Sequence, residues 1–157
     1  MSATSPAHQD WIPAAPFRAH FQLLLEQTGL PWRVVALATG VPARLAQRLA
    51  LAPPGRDRIR RADALRLITV GPDDLLRLGD QSVACRAAGR RLAALAKDAG
   101  LDTMEIARVS GLTPNLAHQL LTDRLHRCSR LTLLRVQACC DQLEAVPGAA
   151  PSRIPAA

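Results

Sequence analysis

Tyrosine is absent from this 157-residue chain, and two tryptophans and two phenylalanines are its only aromatic residues. A core must therefore be built from Leu, Ala and Val, a palette that suits helices better than sheets. Long alternating runs of β-branched and aromatic residues bounded by turns are missing, which removes the pattern of a strand-built domain. No apolar run reaches the roughly 18 residues of a membrane-spanning helix. Residues 1–15 lack the basic-then-apolar order of an export signal, so a cytoplasmic protein is expected. Glycine-rich phosphate loops, H-E-x-x-H, G-x-S-x-G and zinc-type Cys/His spacings are also wanting, and His8, His20, His118 and His126 are scattered. Neither enzymatic activity nor a cofactor or metal is expected. Cys85, Cys128, Cys139 and Cys140 form no C-x-x-C pair. Adjacent Cys139 and Cys140 would point about 100° apart on a helix, so structural thiols are expected. A redox pair of Cys128 with Cys139 or Cys140 is the less favoured alternative.

What is present is arginine. Lys97 is the only lysine among the twenty Lys and Arg residues, and the net charge is +7 with a pI near 10.8. Such a balance favours polyanionic partners. An Ala- and Arg-rich, Lys-poor composition is also what a GC-rich genome produces, so the positions of the arginines have to discriminate.

Those positions repeat. Shifted by 71 residues, Phe17 to Leu51 aligns with Ala88 to Thr122, with eight identities in 35 positions. The identities pair Leu24 with Leu95, Gly29 with Gly100, Leu30 with Leu101, Ala36 with Ala107, Gly40 with Gly111, Leu45 with Leu116, Ala46 with Ala117 and Leu49 with Leu120. At a shift of 69 the match resumes, pairing Arg58 with Arg127, Arg61 with Arg130, Leu65 with Leu134 and Arg66 with Arg135. Compositional bias inflates Leu and Ala matches, but it explains poorly two glycines eleven apart in both copies.

Each copy reads as four helices. In the first, Phe17, Phe21, Leu24 and Leu25 recur at helical spacing and stop before Gly29. A second helix runs from about Pro31 to Ala38, a third from about Pro42 to Leu51, and a fourth from about Ile59 to Thr69. In the second copy the first helix runs from about Val83 to Ala99. Asp102-x-x-Glu105 supplies a capping box for the next, Thr113-Pro114 starts the third, and Ser129 caps a fourth to about Ala145. The expected boundaries are a flexible tail at 1–16, a first unit at 17–69, an ordered connector at 70–82, a second unit at 83–146 and a tail at 147–157. Trp11 and Ile12 are expected to pin the first tail to its domain.

Two short helices crossing over a tight turn need a small residue at their contact and a glycine where the backbone turns. Ala36, Gly40 and Val41 supply these in one copy, and Ala107, Gly111 and Leu112 in the other. Through "VVALATGVPARLAQRL" and "MEIARVSGLTPNLAHQL" the chain resembles the Cro/C1-type (XRE-like) helix-turn-helix family over most of residues 17–69 and 83–145. The resemblance implies an all-α fold of two tandem lambda-repressor-like bundles, with double-stranded DNA as partner. It also implies that the third helix of each copy enters the major groove. Base-edge positions would then be Ala43, Arg44, Gln47 and Arg48, and Pro114, Asn115, His118 and Gln119. Arg suits guanine, and Gln or Asn suits adenine. Trp32 and Pro42 depart from the family's polar residue and Ser/Thr cap.

Arginines cluster just after both candidate reading helices: Arg56, Arg58, Arg60 and Arg61 in the first copy, and Arg124, Arg127 and Arg130 in the second. Recurrence beside the reading element points to phosphate contact. The expected function is a double-stranded DNA-binding transcriptional regulator that reads an asymmetric site as a monomer or a homodimer. The alternatives are a module that binds RNA polymerase or another regulator, and a sequence-independent nucleoid-associated protein.

Overall fold

The structure, a computed structural model, describes residues 10–146; the expected tail at 147–157 and residues 1–9 of the other lie outside them. The chain divides into two compact units, Met1–Leu78 and Gly79–Ala157. The first contains β1 (Trp11–Pro13), α1 (Ala15–Thr28), α2 (Trp32–Thr39), α3 (Ala43–Leu51), β2 (Arg58–Arg60), α4 (Arg61–Ile68) and α5 (Pro72–Arg77). The second contains β3 (Ser82–Ala84), α6 (Arg86–Ala99), α7 (Thr103–Ser110), α8 (Pro114–Leu121), β4 (Arg127–Ser129) and α9 (Arg130–Ala145). The element order of the second unit repeats that of the first up to α4.

The fold is mostly helical, but the expectation of helices alone needs correction. Each unit holds a small antiparallel ribbon: Ile12 faces Ile59 in β1–β2, and Val83 faces Cys128 in β3–β4. Two helices expected to begin at Ile59 and Val83 therefore start later, at Arg61 and Arg86, because the preceding residues are extended. The stretch expected as a tail up to residue 16 is likewise ordered from Asp10, whose carbonyl accepts the Arg61 N–H at 2.7 Å. Ala14 is buried at the start of α1. Residues expected as a connector from Val70 belong largely to the first unit, where α5 buries Leu75 against α1.

Burial follows the apolar periodicity. Phe21, Leu24, Val35, Leu49, Ile59 and Leu67 are sealed in the first unit. Leu92, Ile106, Ala117, Leu120 and Val136 form the second core together with Cys85, Cys139 and Cys140. Between α2 and α3, and again between α7 and α8, the chain turns through a left-handed residue: Gly40 at φ 73° and Gly111 at φ 68°. Any side chain there would be strained. Arg66 caps the first turn by donating to the Gly40 carbonyl at 3.3 Å, and Arg135 does the same for Gly111 at 3.3 Å. A Cβ on Gly111 would come within 2.4 Å of that Arg135 guanidinium.

Capping separates the two units. Asp102, Thr113 and Ser129 accept hydrogen bonds from backbone N–H groups at the starts of α7, α8 and α9. The equivalent positions in the first unit, Pro31, Pro42 and Arg60, make no side-chain cap. Each missing cap forgoes about 1 kcal/mol.

Burial also decides the cysteines. Cys128 is pushed up to about 12, first by burial and then by its hydrogen bond with Cys85; burial is likewise the main cause for Cys140, at about 11, and raises Cys139. These thiols stay protonated at neutral pH and are poor nucleophiles. Alkylation of native protein by iodoacetamide at pH 7.5 should be slow at all three and become rapid in denaturant, as followed by mass spectrometry. Fast native labelling of Cys128 would revive the redox alternative.

Candidate nucleic-acid interface

The faces of α3 and α8 are set by their buried sides. Ala46 and Leu49 pin α3 to its core, which turns Ala43, Arg44, Gln47 and Arg48 outward, all exposed. Ala117 and Leu120 do the same for α8, leaving Pro114, Asn115 and His118 exposed and Gln119 half-buried. The Gln119 side-chain amide donates to Asn115 Oδ1 at 3.3 Å, so these two act as a pair. Arg48 leans toward the ribbon, its Nη2 donating to the Arg58 carbonyl at 3.3 Å. Arg44, Gln47 and His118 make no side-chain hydrogen bond among the described residues.

The seven arginines expected to meet phosphate divide into two groups. Arg58 and Arg127 occupy equivalent positions and turn back on their own ribbons. Arg58 Nη2 donates to the Trp11 carbonyl; Arg127 donates to the Ser82 hydroxyl at 3.1 Å and to its carbonyl at 3.0 Å. Their side chains fasten β1 to β2 and β3 to β4, so a phosphate contact by either arginine would compete with these hydrogen bonds. Arg56, Arg60, Arg61, Arg124 and Arg130 are exposed, and their side chains form no ion pair among the described residues. The Arg60 guanidinium lies over the Trp11 ring, 5.6 Å from its centroid.

Several arginines that sequence reasoning passed over hold the ends of α3 and α8 in place. Arg18 is only 6% exposed. Its Nη1 donates to the carbonyls of Arg48, Leu49 and Ala52 at 2.9, 3.3 and 2.6 Å, and its Nη2 bonds Asp57 at 3.0 Å. A cation at the C-terminus of α3 meets both the open carbonyls and the negative end of the helix dipole. The second unit does this differently. Gly89 replaces Arg18, and a Cβ there would lie 3.1 Å from the Leu120 carbonyl oxygen. Arg86 and Arg90 of α6 instead converge on Asp123, at 3.0 and 2.9 Å. Arg91 adds a surface pair with Glu144 at 2.7 Å, linking α6 to α9.

The hydrogen bonds from Arg86, and then from Arg90, hold the Asp123 carboxyl at about 2, below its ordinary 3.8. A depressed carboxylate stabilises the fold fully above the ordinary value and loses that contribution as pH falls through about 2. Asp123→Asn should therefore lower stability at pH 5 and largely converge with the parent near pH 2, in urea melts across that range. An equal deficit at both pH values would remove the ion pair as its cause.

Among the described residues no helix is long and apolar enough to cross a membrane, and no three His, Cys, Asp or Glu side chains gather as metal ligands. No protein-family model, curated protein or solved structure matches the chain.

Proposed function

We propose that the protein is a double-stranded DNA-binding transcriptional regulator whose two units are tandem helix-turn-helix modules of the Cro/C1 type. The observation that carries this reading is the repeated presentation of α3 and α8. In each unit the second helix of a glycine-turned pair buries an Ala/Leu face and exposes residues able to address base edges. Arg44 and Gln47 on α3, and Asn115, His118 and Gln119 on α8, are the readers. Arg56, Arg60, Arg61, Arg124 and Arg130 flank them as phosphate partners. The two reading faces differ in charge, so one chain reads an asymmetric site.

A protein-binding role has one observation in its favour: Leu65 and Ile68 of α4 are about half exposed, an apolar surface suited to RNA polymerase or another regulator. Fluorescence anisotropy with a labelled random duplex separates the readings. Binding at 50 mM salt is expected; no binding at that salt would sink the DNA reading and leave the protein-binding one. A chromosome-coating role would show as binding without any sequence enrichment in selection.

A further inference from the structure

Beside the start of α3 lies a depression of about 580 Å³ whose wall includes Trp11, Arg44, Arg48, Arg60 and Asp63. Three arginines and a tryptophan thus share one hollow. Asp63 does not cancel them: its side chain is only 14% exposed and pairs with Arg66 at 3.5 Å. Ile59, fully buried in β2, forms part of the same wall, so the ribbon rigidly sets where Arg60 and Trp11 stand.

The duplication supplies an internal control. At the equivalent positions of the second unit, Ser82 stands for Trp11, Asn115 for Arg44, Gln119 for Arg48, Ser129 for Arg60 and Thr132 for Asp63. Every charge and the ring are absent from that copy. Ser129 there is engaged in capping, accepting the Thr132 N–H at 3.0 Å. Arg60 holds the same place in the first unit without capping α4, and its guanidinium reaches over Trp11 instead. Gln119 pairs with Asn115, whereas Arg48 leans to the ribbon at the edge of the hollow.

We propose that this depression is a phosphate site belonging to the first unit alone, with Arg48 and Arg60 as donors, Arg44 adding positive potential and Trp11 as the apolar wall. Guanidinium forks match phosphate oxygens, and the indole shields the contact from water. The proposal rests on the DNA reading only for the source of the phosphate, a backbone phosphodiester. Arg48 then grips the backbone and leaves base edges to Arg44 and Gln47. The first unit supplies much of the grip, and the second reads with neutral side chains.

The test uses the full chain. Anisotropy with a labelled duplex, between 50 and 200 mM salt, is compared for the parent, Arg60→Ala, Arg48→Ala and Arg77→Ala, the last removing the same charge from an exposed position on α5. Titration with inorganic phosphate and with a mononucleotide, followed by Trp11 emission in a Trp32→Phe background, tests for a free ligand. Arg60→Ala and Arg48→Ala should each weaken the duplex about fivefold to tenfold and flatten the log–log salt slope by about one unit, with Arg77→Ala unchanged. Duplex binding that is insensitive to Arg48→Ala and Arg60→Ala overturns the phosphate site and leaves the DNA reading standing. Binding of phosphate or mononucleotide, but not duplex, upholds the site and overturns the DNA reading; binding of none overturns both.

Discussion

Arg18→Ala should lower the melting temperature of the first unit by about 12–24 °C while leaving the second unit's transition in place. Among the described residues Arg18 is the one nearly buried cation of the first unit, and its removal orphans the carbonyls of Arg48, Leu49 and Ala52 together with Asp57. Breaking a buried ion pair by deleting one partner costs roughly 3–5 kcal/mol. Asp57 keeps 36% of its side chain exposed, so water recovers part of that and about 3 kcal/mol remains. For a unit of this size each kcal/mol moves the midpoint by about 4–8 °C. Asp57→Ala should cost less, because the three carbonyls still hold Arg18. The first unit also lacks the three side-chain caps of the second, and should already be the first to melt in the parent. Scanning calorimetry checks all three expectations; a single unshifted transition in Arg18→Ala would show that the end of α3 needs no cation.

Salt should act just as strongly on the proposed DNA complex. Each phosphate neutralised contributes about −0.9 to the log–log slope. Five exposed arginines, or six with Arg48, give a slope between about −4.5 and −5.4. Raising salt from 50 to 200 mM then weakens binding roughly 500- to 2,000-fold. Phosphate contact by Arg58 and Arg127 as well would make the loss greater still. Anisotropy at four salt concentrations measures the slope. A value flatter than about −2 would mean that phosphate contact does not drive association, and would move the weight of the account to the apolar surface of Leu65 and Ile68.

Much of the scaffold was legible because its signals are local. Gly40 and Gly111 mark the turns; Asp102, Thr113 and Ser129 each cap a helix within three residues along the chain. The shifts of 71 and 69 read from residue types match the offsets between equivalent elements. The ribbons escaped detection because three residues are too few to show alternation, and because Arg58–Arg60 resembles a basic loop. Arg18 was missed for a different reason: its partners are main-chain carbonyls about thirty residues away, which no motif records. The arginine clusters looked uniform in sequence. Only geometry separates Arg58 and Arg127, which lock ribbons, from Arg60, which overhangs Trp11. Asp57, in sequence a mere interruption of the basic run, anchors Arg18.

The measurement that tests the central claim most directly is selection of bound duplexes from a random pool by the parent, by Arg44→Ala/Gln47→Ala and by Asn115→Ala/His118→Ala. Two dissimilar half-sites are expected in the parent's selected sequence, with the first double variant relaxing one half and the second relaxing the other. A perfectly palindromic site bound by one chain, or a selected sequence that neither double variant alters, would contradict the assignment of α3 and α8 as two different readers.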